Sequence, residues 1–292
     1  MMHSVLLPND TYKKLASVRL ASKSKIRGHH KGSHRSQRVG SSMDFSDYRA
    51  YHLGDDVRQI DWNVYARSEK YFIKRFLDEQ EMRVQILLDG SNSMTQNEKK
   101  WLFAKQLAAA LGSIVLQRDD RLQFQCITGV KTTPFRQKGS SARQRYMHIV
   151  SELTGEPTDE IFTKGASKAL VKGQTVLIIL TDCLETIEQL QQLIRKLPNF
   201  AADIRIIQIV EQDMHEPDYS GDMEFYDVET KKVTNVSVTS ATIEKFQKVK
   251  LQHEQKLGQL CNQYGIAHTT LYVEDGFQTA FFQRLKKANW IE

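Results

Sequence analysis

Arg83-Val84-Gln85-Ile86-Leu87-Leu88-Asp89-Gly90-Ser91-Asn92-Ser93-Met94 is the stretch that decides the fold. An apolar run stops abruptly at Asp-Gly-Ser-Asn-Ser-Met, and a pattern of helical period follows over residues 99–117. A short apolar run bounded by turn residues reads as a buried strand. Asp89 then stands at the strand's carboxyl end, and Ser91 and Ser93 leave the turn beside it. One carboxylate and two hydroxyls this close make an all-oxygen cluster of the kind that hard divalent cations select. Ligands of open α/β sheets bind beyond the carboxyl ends of the strands, which is where this cluster falls. The spacing Asp-x-Ser-x-Ser also arises by chance, and Ser93 alternatively caps the next helix.

A second apolar run, Thr175-Val176-Leu177-Ile178-Ile179-Leu180-Thr181, shows no alternation and ends at Asp182. Such a strand is buried on both faces, as in a parallel sheet. If the two strands are neighbours, about 4.8 Å apart, Asp89 and Asp182 meet at one end of the sheet. Asp182 alternatively caps a helix over residues 185–197.

The rest of the chain alternates strand and helix. Residues 122–127 and 130–135 read as a hairpin, and 140–153 as a helix. Thr158 caps a short helix carrying Ile161, Phe162 and Ala166. Residues 204–210 form another buried strand. Residues 212–237 read as an inserted β-hairpin, 242–264 as a long amphipathic helix, 266–273 as the last strand and 277–287 as the closing helix. The pattern predicts an α/β fold with a mostly parallel, Rossmann-like sheet flanked by helices.

Upstream, a short helix is expected from Asn9-Asp10 to about residue 24. Residues 11–43 carry nine Lys or Arg and no acid. The chain's formal charge of +6 is therefore concentrated in a basic arm, and the remainder is mildly acidic. Gly28-His29-His30-Lys31-Gly32-Ser33-His34-Arg35 reads as a loop without apolar period. Its histidines raise a metal hypothesis, but a basic loop facing an acidic partner or a phosphate suits the composition better. Residues 45–67 mix aromatics with charges of both signs. Asp55, Asp56 and Asp61 could hold a metal. The alternative, which the matching number of guanidinium groups favours, is a structural ion-pair network of Arg49, Asp55, Asp56, Arg58, Asp61 and Arg67. The expected division is an N-terminal region of residues 1–81 and a sheet domain of residues 82–292.

With 292 residues, 40% of them hydrophobic and 26% charged, the composition is that of a soluble globular protein. No apolar run approaches the ~20 residues of a transmembrane helix. The start, Met1-Met2-His3-Ser4-Val5-Leu6-Leu7-Pro8, does not read as a signal peptide. Cys126, Cys183 and Cys261 lie far apart, which points to free thiols and a cytoplasmic location.

The strand-to-turn motif, followed by alternating strands and helices, resembles the von Willebrand factor A domain and its metal-ion-dependent adhesion site. Tyr48-Arg49-Ala50-Tyr51-His52-Leu53-Gly54-Asp55-Asp56-Val57-Arg58-Gln59-Ile60-Asp61-Trp62, with Ala66-Arg67, resembles the signature of the bacterial domain-of-unknown-function family 58. That resemblance implies a Mg²⁺ site, with Mn²⁺ or Ca²⁺ as substitutes, held by Asp89, Ser91 and Ser93, by Thr158 or else Thr163, and by Asp182. It implies an open coordination position that a carboxylate of a partner protein fills. It further suggests a MoxR-type AAA+ ATPase as partner, and it carries no catalytic activity.

Three functions follow as expectations. The first is a non-enzymatic module binding an acidic protein through Mg²⁺. The second is a metal-dependent phosphoesterase or nuclease using the same ion as a Lewis acid. Against it, no His or Lys base is expected near either strand end, and Ser91 has no evident activating partner. The third is binding of nucleic acid or an anionic membrane by the basic arm. Only Tyr12 interrupts the arm as an aromatic, so base stacking is unsupported and nucleic acid is not the expected partner.

Overall fold

The computed structural model describes residues 6–22, 44–77, 81–128, 133–155, 158, 160–212, 221–227 and 232–292. The chain divides into two units. One comprises residues 25–81, and the other residues 1–24 together with 82–292.

In the smaller unit, β1 (Asp44–Ala50) pairs antiparallel with β2 (Phe72–Leu77). Between them lie a 3₁₀ turn, Val57–Gln59, and a short helix that follows Asp61. The expected single ion-pair network is divided into separate tasks. Arg49 grips Asp55 through two hydrogen bonds, at 2.9 and 3.0 Å, which hold the Asp55 carboxyl below the usual range. Asp56 accepts the Arg58 backbone N–H, and Asp61 caps its helix by accepting the N–H groups of Asn63 and Val64. Asp61 also accepts the Tyr48 hydroxyl at 2.9 Å. These aspartates serve the backbone because a carboxylate ahead of a helical turn satisfies N–H groups that nothing else reaches. Arg58 and Arg67 are exposed on the surface.

The larger unit is built on one six-stranded sheet. The short helix of the smaller unit is α2 (Trp62–Ser68); the helices and strands of the larger unit are α1 (Asn9–Leu15), β3 (Arg83–Asp89), α3 (Asn92–Thr95), α4 (Glu98–Gln117), β4 (Arg121–Ile127), β5 (Phe135–Lys138), α5 (Arg143–Ser151), α6 (Phe162–Ala169), β6 (Gln174–Thr181), α7 (Ile187–Ile194), β7 (Ala201–Val210), β8 (Gly221–Tyr226), β9 (Val233–Val238), α8 (Ser240–Gln263), β10 (Ala267–Tyr272) and α9 (Gly276–Thr279). The sheet order is β10-β7-β6-β3-β4-β5, and every pairing is parallel except the edge hairpin β4–β5. Counted within the sheet, this is the doubly wound order 3-2-1-4-5-6 read from the other edge. The fold is α/β, with a mostly parallel sheet flanked by helices, as the alternating pattern predicts.

Burial follows the strand period of two. Val84, Ile86 and Leu88 of β3 and Val176, Ile178 and Leu180 of β6 face the core under α4. Leu87, Leu177 and Ile179 face the opposite core with Phe162, Leu190 and Leu257. Helices therefore cover both faces, which is why these strands read as unbroken apolar runs.

Several boundaries differ from expectation. The first helix ends at Leu15, not near residue 24. Beyond it the backbone pairs with the C-terminus, with Arg19 N–H to Glu292 O at 2.8 Å and Ala21 N–H to Trp290 O at 3.0 Å. Residues 6–22 thus belong with the sheet, since Leu6, Leu7, Leu15 and Leu20 are buried in the core under α4. The hairpin partner of β4 runs over residues 135–138, and part of the expected 130–135 strand lies outside the described residues. Thr158 does not cap α6, whose N-cap is Ile161. Ser93 and Asp182 are not caps either. Asn97 caps α4, and Thr186 caps α7 through a reciprocal pair with Gln189. The expected hairpin is present as β8 and β9. The closing helix is α9 continued by a wider turn, Ala280–Leu285. Most of the basic arm, including its three histidines, lies outside the described residues. Among the described residues no helix is long and apolar enough to cross a membrane.

Candidate functional site

β3 and β6 are adjacent and parallel, with Leu88 opposite Leu180. Asp89 and Asp182 therefore leave the sheet side by side, and both are buried. The turn after Asp89 needs a glycine. Gly90 N–H bonds Ile127 O at 3.0 Å, and a Cβ at residue 90 would meet Thr128 Cγ2 at 2.5 Å. That close approach to β4 bends the chain so that Ser91 N–H donates to Asp89 Oδ1 at 2.9 Å. The Ser91 and Ser93 hydroxyls stand 3.2 Å apart. Thr181 Oγ1 donates to Asp89 Oδ2 at 2.6 Å and so links the two strand ends.

Thr158 arrives from a different part of the chain. Asn92 Nδ2 donates to Thr158 O at 2.7 Å, and Thr158 N–H donates to Asn92 Oδ1 at 2.8 Å. The amide thus clamps the Thr158 backbone to the Asp-x-Ser turn. Thr163 lies in the first turn of α6, where its N–H donates to the Glu185 carboxylate at 3.0 Å. The clamp distinguishes Thr158 from Thr163 as the threonine tied to the turn.

Asp182 is followed by Cys183 at φ +57°, a left-handed conformation that a non-glycine residue holds only when its surroundings enforce it. Here Leu184 N–H donates to Asp182 Oδ1 at 3.2 Å, Cys183 N–H donates to Thr181 Oγ1 at 3.1 Å, and His253 Nε2 of α8 lies 2.9 Å from Cys183 O. Burial pushes the thiols of Cys126 and Cys183 up, so neither supplies a thiolate beside the cluster.

The residue that sequence reasoning missed is Lys100. Its Nζ donates to Asp182 Oδ2 at 2.8 Å and to Ser93 O at 3.0 Å, and the side chain is 2% exposed. This corrects the expectation that no lysine stands near either strand end. A signal was present, because Lys100 falls three, four and seven residues before Phe103, Ala104 and Leu107 on the inward face of α4. Asn92, inside the motif but not one of its oxygens in the expected set, was missed as well.

Of the two carboxylates, Asp182 is paired with the Lys100 ammonium, and Asp89 is held by hydroxyl and backbone donors. The Asp89 carboxyl is pushed up to about 7, first by burial and second by the charge of Asp182, against the hydrogen bonds from Thr181 and Ser91 that pull it down. Among the described residues no three His, Cys, Asp or Glu side chains are grouped so as to hold a metal ion by themselves. A cation here would draw on two carboxylates and on hydroxyl oxygens, a donor set that suits a hard divalent ion.

These features define a doubly wound, mostly parallel α/β sheet with an oxygen-rich cluster at the carboxyl ends of its central strands. The chain belongs to the family described as Protein of unknown function DUF58, whose model matches residues 47–256. An uncharacterized protein of Mycobacterium tuberculosis is 24% identical over 252 residues, which is 82% of this chain and 77% of the relative. Among solved structures, the chain is similar to the conserved hypothetical protein BatB from Bacteroides thetaiotaomicron, at 15% identity and a TM-score of 0.39, over 70% of this chain and 98% of that one. It is similar also to the SpRpn10 VWA domain, at 14% identity and a TM-score of 0.37, over 70% and 95%.

Proposed function

We propose that the chain is a non-enzymatic protein-interaction module that binds an acidic partner through Mg²⁺ held by Asp89, Ser91, Ser93, Thr158 and Asp182. A von Willebrand factor A-like fold suggests an interaction module. The observation that carries the finer reading is the meeting of two buried carboxylates at the ends of adjacent parallel strands. The Asp89 carboxyl, pushed up to about 7 by burial and by the charge of Asp182, marks a surplus of negative charge that a divalent ion would offset. Bound Mg²⁺ would act as an electrophile. With few charged ligands it stays attractive to an Asp or Glu side chain of the partner, while Asp89 and Asp182 anchor it and the hydroxyls complete its oxygen surroundings. A MoxR-type AAA+ ATPase, suggested by the family resemblance, is the partner to test first.

Isothermal calorimetry with Mg²⁺ and capture of that ATPase test the reading together. Asp89→Ala is expected to abolish Mg²⁺ uptake, and capture by the wild-type chain is expected to disappear in EDTA. Mg²⁺ binding that survives Asp89→Ala, or capture indifferent to chelation, overturns it.

A further inference from the structure

We propose that Lys100 is a built-in counter-cation of this cluster, which a divalent ion must displace from Asp182 in order to bind. The inference rests on the reading that Asp89 and Asp182 hold such an ion.

Lys100 and Arg205 are the buried cationic side chains among the described residues. Arg205 lies 2.6 Å from Asp203, its own carboxylate. Lys100 instead donates to one member of a carboxylate pair and to the backbone carbonyl of Ser93, so it ties the first strand end to the second. Its position on the helix works against it. Lys100 is in the first turn of α4, where its own N–H is already taken up by Asn97 Oδ1 at 3.2 Å. A positive charge there opposes the helix dipole. The ammonium is held at that place by what it compensates, the charge on Asp182.

That compensation is incompatible with a second cation on the same oxygen. An ammonium and a divalent ion sharing Asp182 Oδ2 would stand a few ångströms apart and repel strongly in a site this dry. The structure offers a way out. Lys100 and Asp182 both line a cavity of about 190 Å³ that opens to the surface and is bordered by Leu184, Gln208, Phe246 and His253. An ammonium released from Asp182 can turn into that cavity without entering the apolar core. It also stays at the site, so the loaded cluster carries one more positive charge than its two carboxylates and the divalent ion alone.

Mg²⁺ titration of the full chain by calorimetry, paired with melting curves in EDTA and in Mg²⁺, decides the matter. Lys100→Met is expected to lose stability in EDTA, to bind Mg²⁺ at least about tenfold more tightly than the wild type, and to show the larger rise of Tm in Mg²⁺. Lys100→Gln, which keeps a donor but no charge, is expected to behave the same way. Variants that fold only when Mg²⁺ is present support the proposal equally. A folded variant with wild-type Mg²⁺ affinity overturns it and leaves the metal reading intact, as does a variant that Mg²⁺ cannot fold. If neither the wild type nor the variants take up Mg²⁺, the metal reading fails and the counter-cation role with it.

Discussion

At Asp89 the carboxyl titrates near 7 in the folded chain, against 3.8 for an ordinary aspartate, because burial and the neighbouring Asp182 disfavour its ionised form. Between those two values the folded state binds the proton more tightly than the unfolded chain does. Metal-free stability therefore falls as pH rises from about 4 to about 7 and is level above that. Asp89→Asn has nothing to ionise. The variant is expected to gain on the wild type across that window and to melt several degrees higher at pH 8 in EDTA, by an amount on the order of a few kcal/mol. Mg²⁺ at pH 8 is expected to raise the wild-type Tm and leave Asp89→Asn unmoved. Melting curves from pH 4 to 8 check both statements, and a wild-type chain that grows more stable over this range contradicts them. Asn92 matters at the same scale, since its single amide fixes both backbone groups of Thr158.

At the level of elements, α4 is the helix on which the site depends, because it carries Lys100 at one end and much of the core along its length. Its seat against α5 is set by one glycine. Tyr146, fully buried, packs where a Cβ on Gly112 would stand 2.3 Å from its ring, and its hydroxyl donates to Ala108 O at 2.6 Å. Gly112→Ala is expected to destabilise the fold by about 2 kcal/mol despite the better helix propensity of alanine, since the ring has no space to retreat into. Chemical denaturation measures this, and a stabilised Gly112→Ala would show that α4 and α5 are more loosely seated than described. The helix itself was plain in the period of residues 99–117. The spacing of Lys100 from Phe103, Ala104 and Leu107 put it on the inward face, but its partner was not legible, because a charged residue at the start of a helix reads as solvent-facing until the element it meets is known.

At the scale of the whole molecule, residues 6–22 pack as part of the sheet unit. Leu6, Leu7, Leu15 and Leu20 are buried, and the backbone of residues 19–21 pairs with the C-terminus. Arg205 fastens the same junction, donating to Trp290 O at 3.0 Å, to Ala21 O and to Asp203. A chain lacking residues 1–24 is expected to lose several kcal/mol, at about 1.5–3 kcal/mol for each buried leucine, and to expose apolar surface that binds a hydrophobic dye. Unchanged denaturation of the shortened chain would count against this packing. The packing of this segment is not legible in the sequence, because Leu6 and Leu7 stand apart from Leu15 and Leu20 with no helical period joining them, and only the helix they lie against shows that they form one buried face.

By itself the sequence determined the strands and their order of appearance, the α/β class, and the residue types at the turn after Asp89. These are local properties: period, turn chemistry, and apolar runs too continuous for a half-exposed sheet. Only the tertiary structure decided that β3 and β6 are neighbours, that Thr158 is clamped by Asn92, and that Lys100 faces Asp182. Those facts join residues 66 to 92 positions apart, and no periodicity reaches across such distances. The strand order of the sheet brings them together, so the identity of the site's oxygens is local and its charge balance is not.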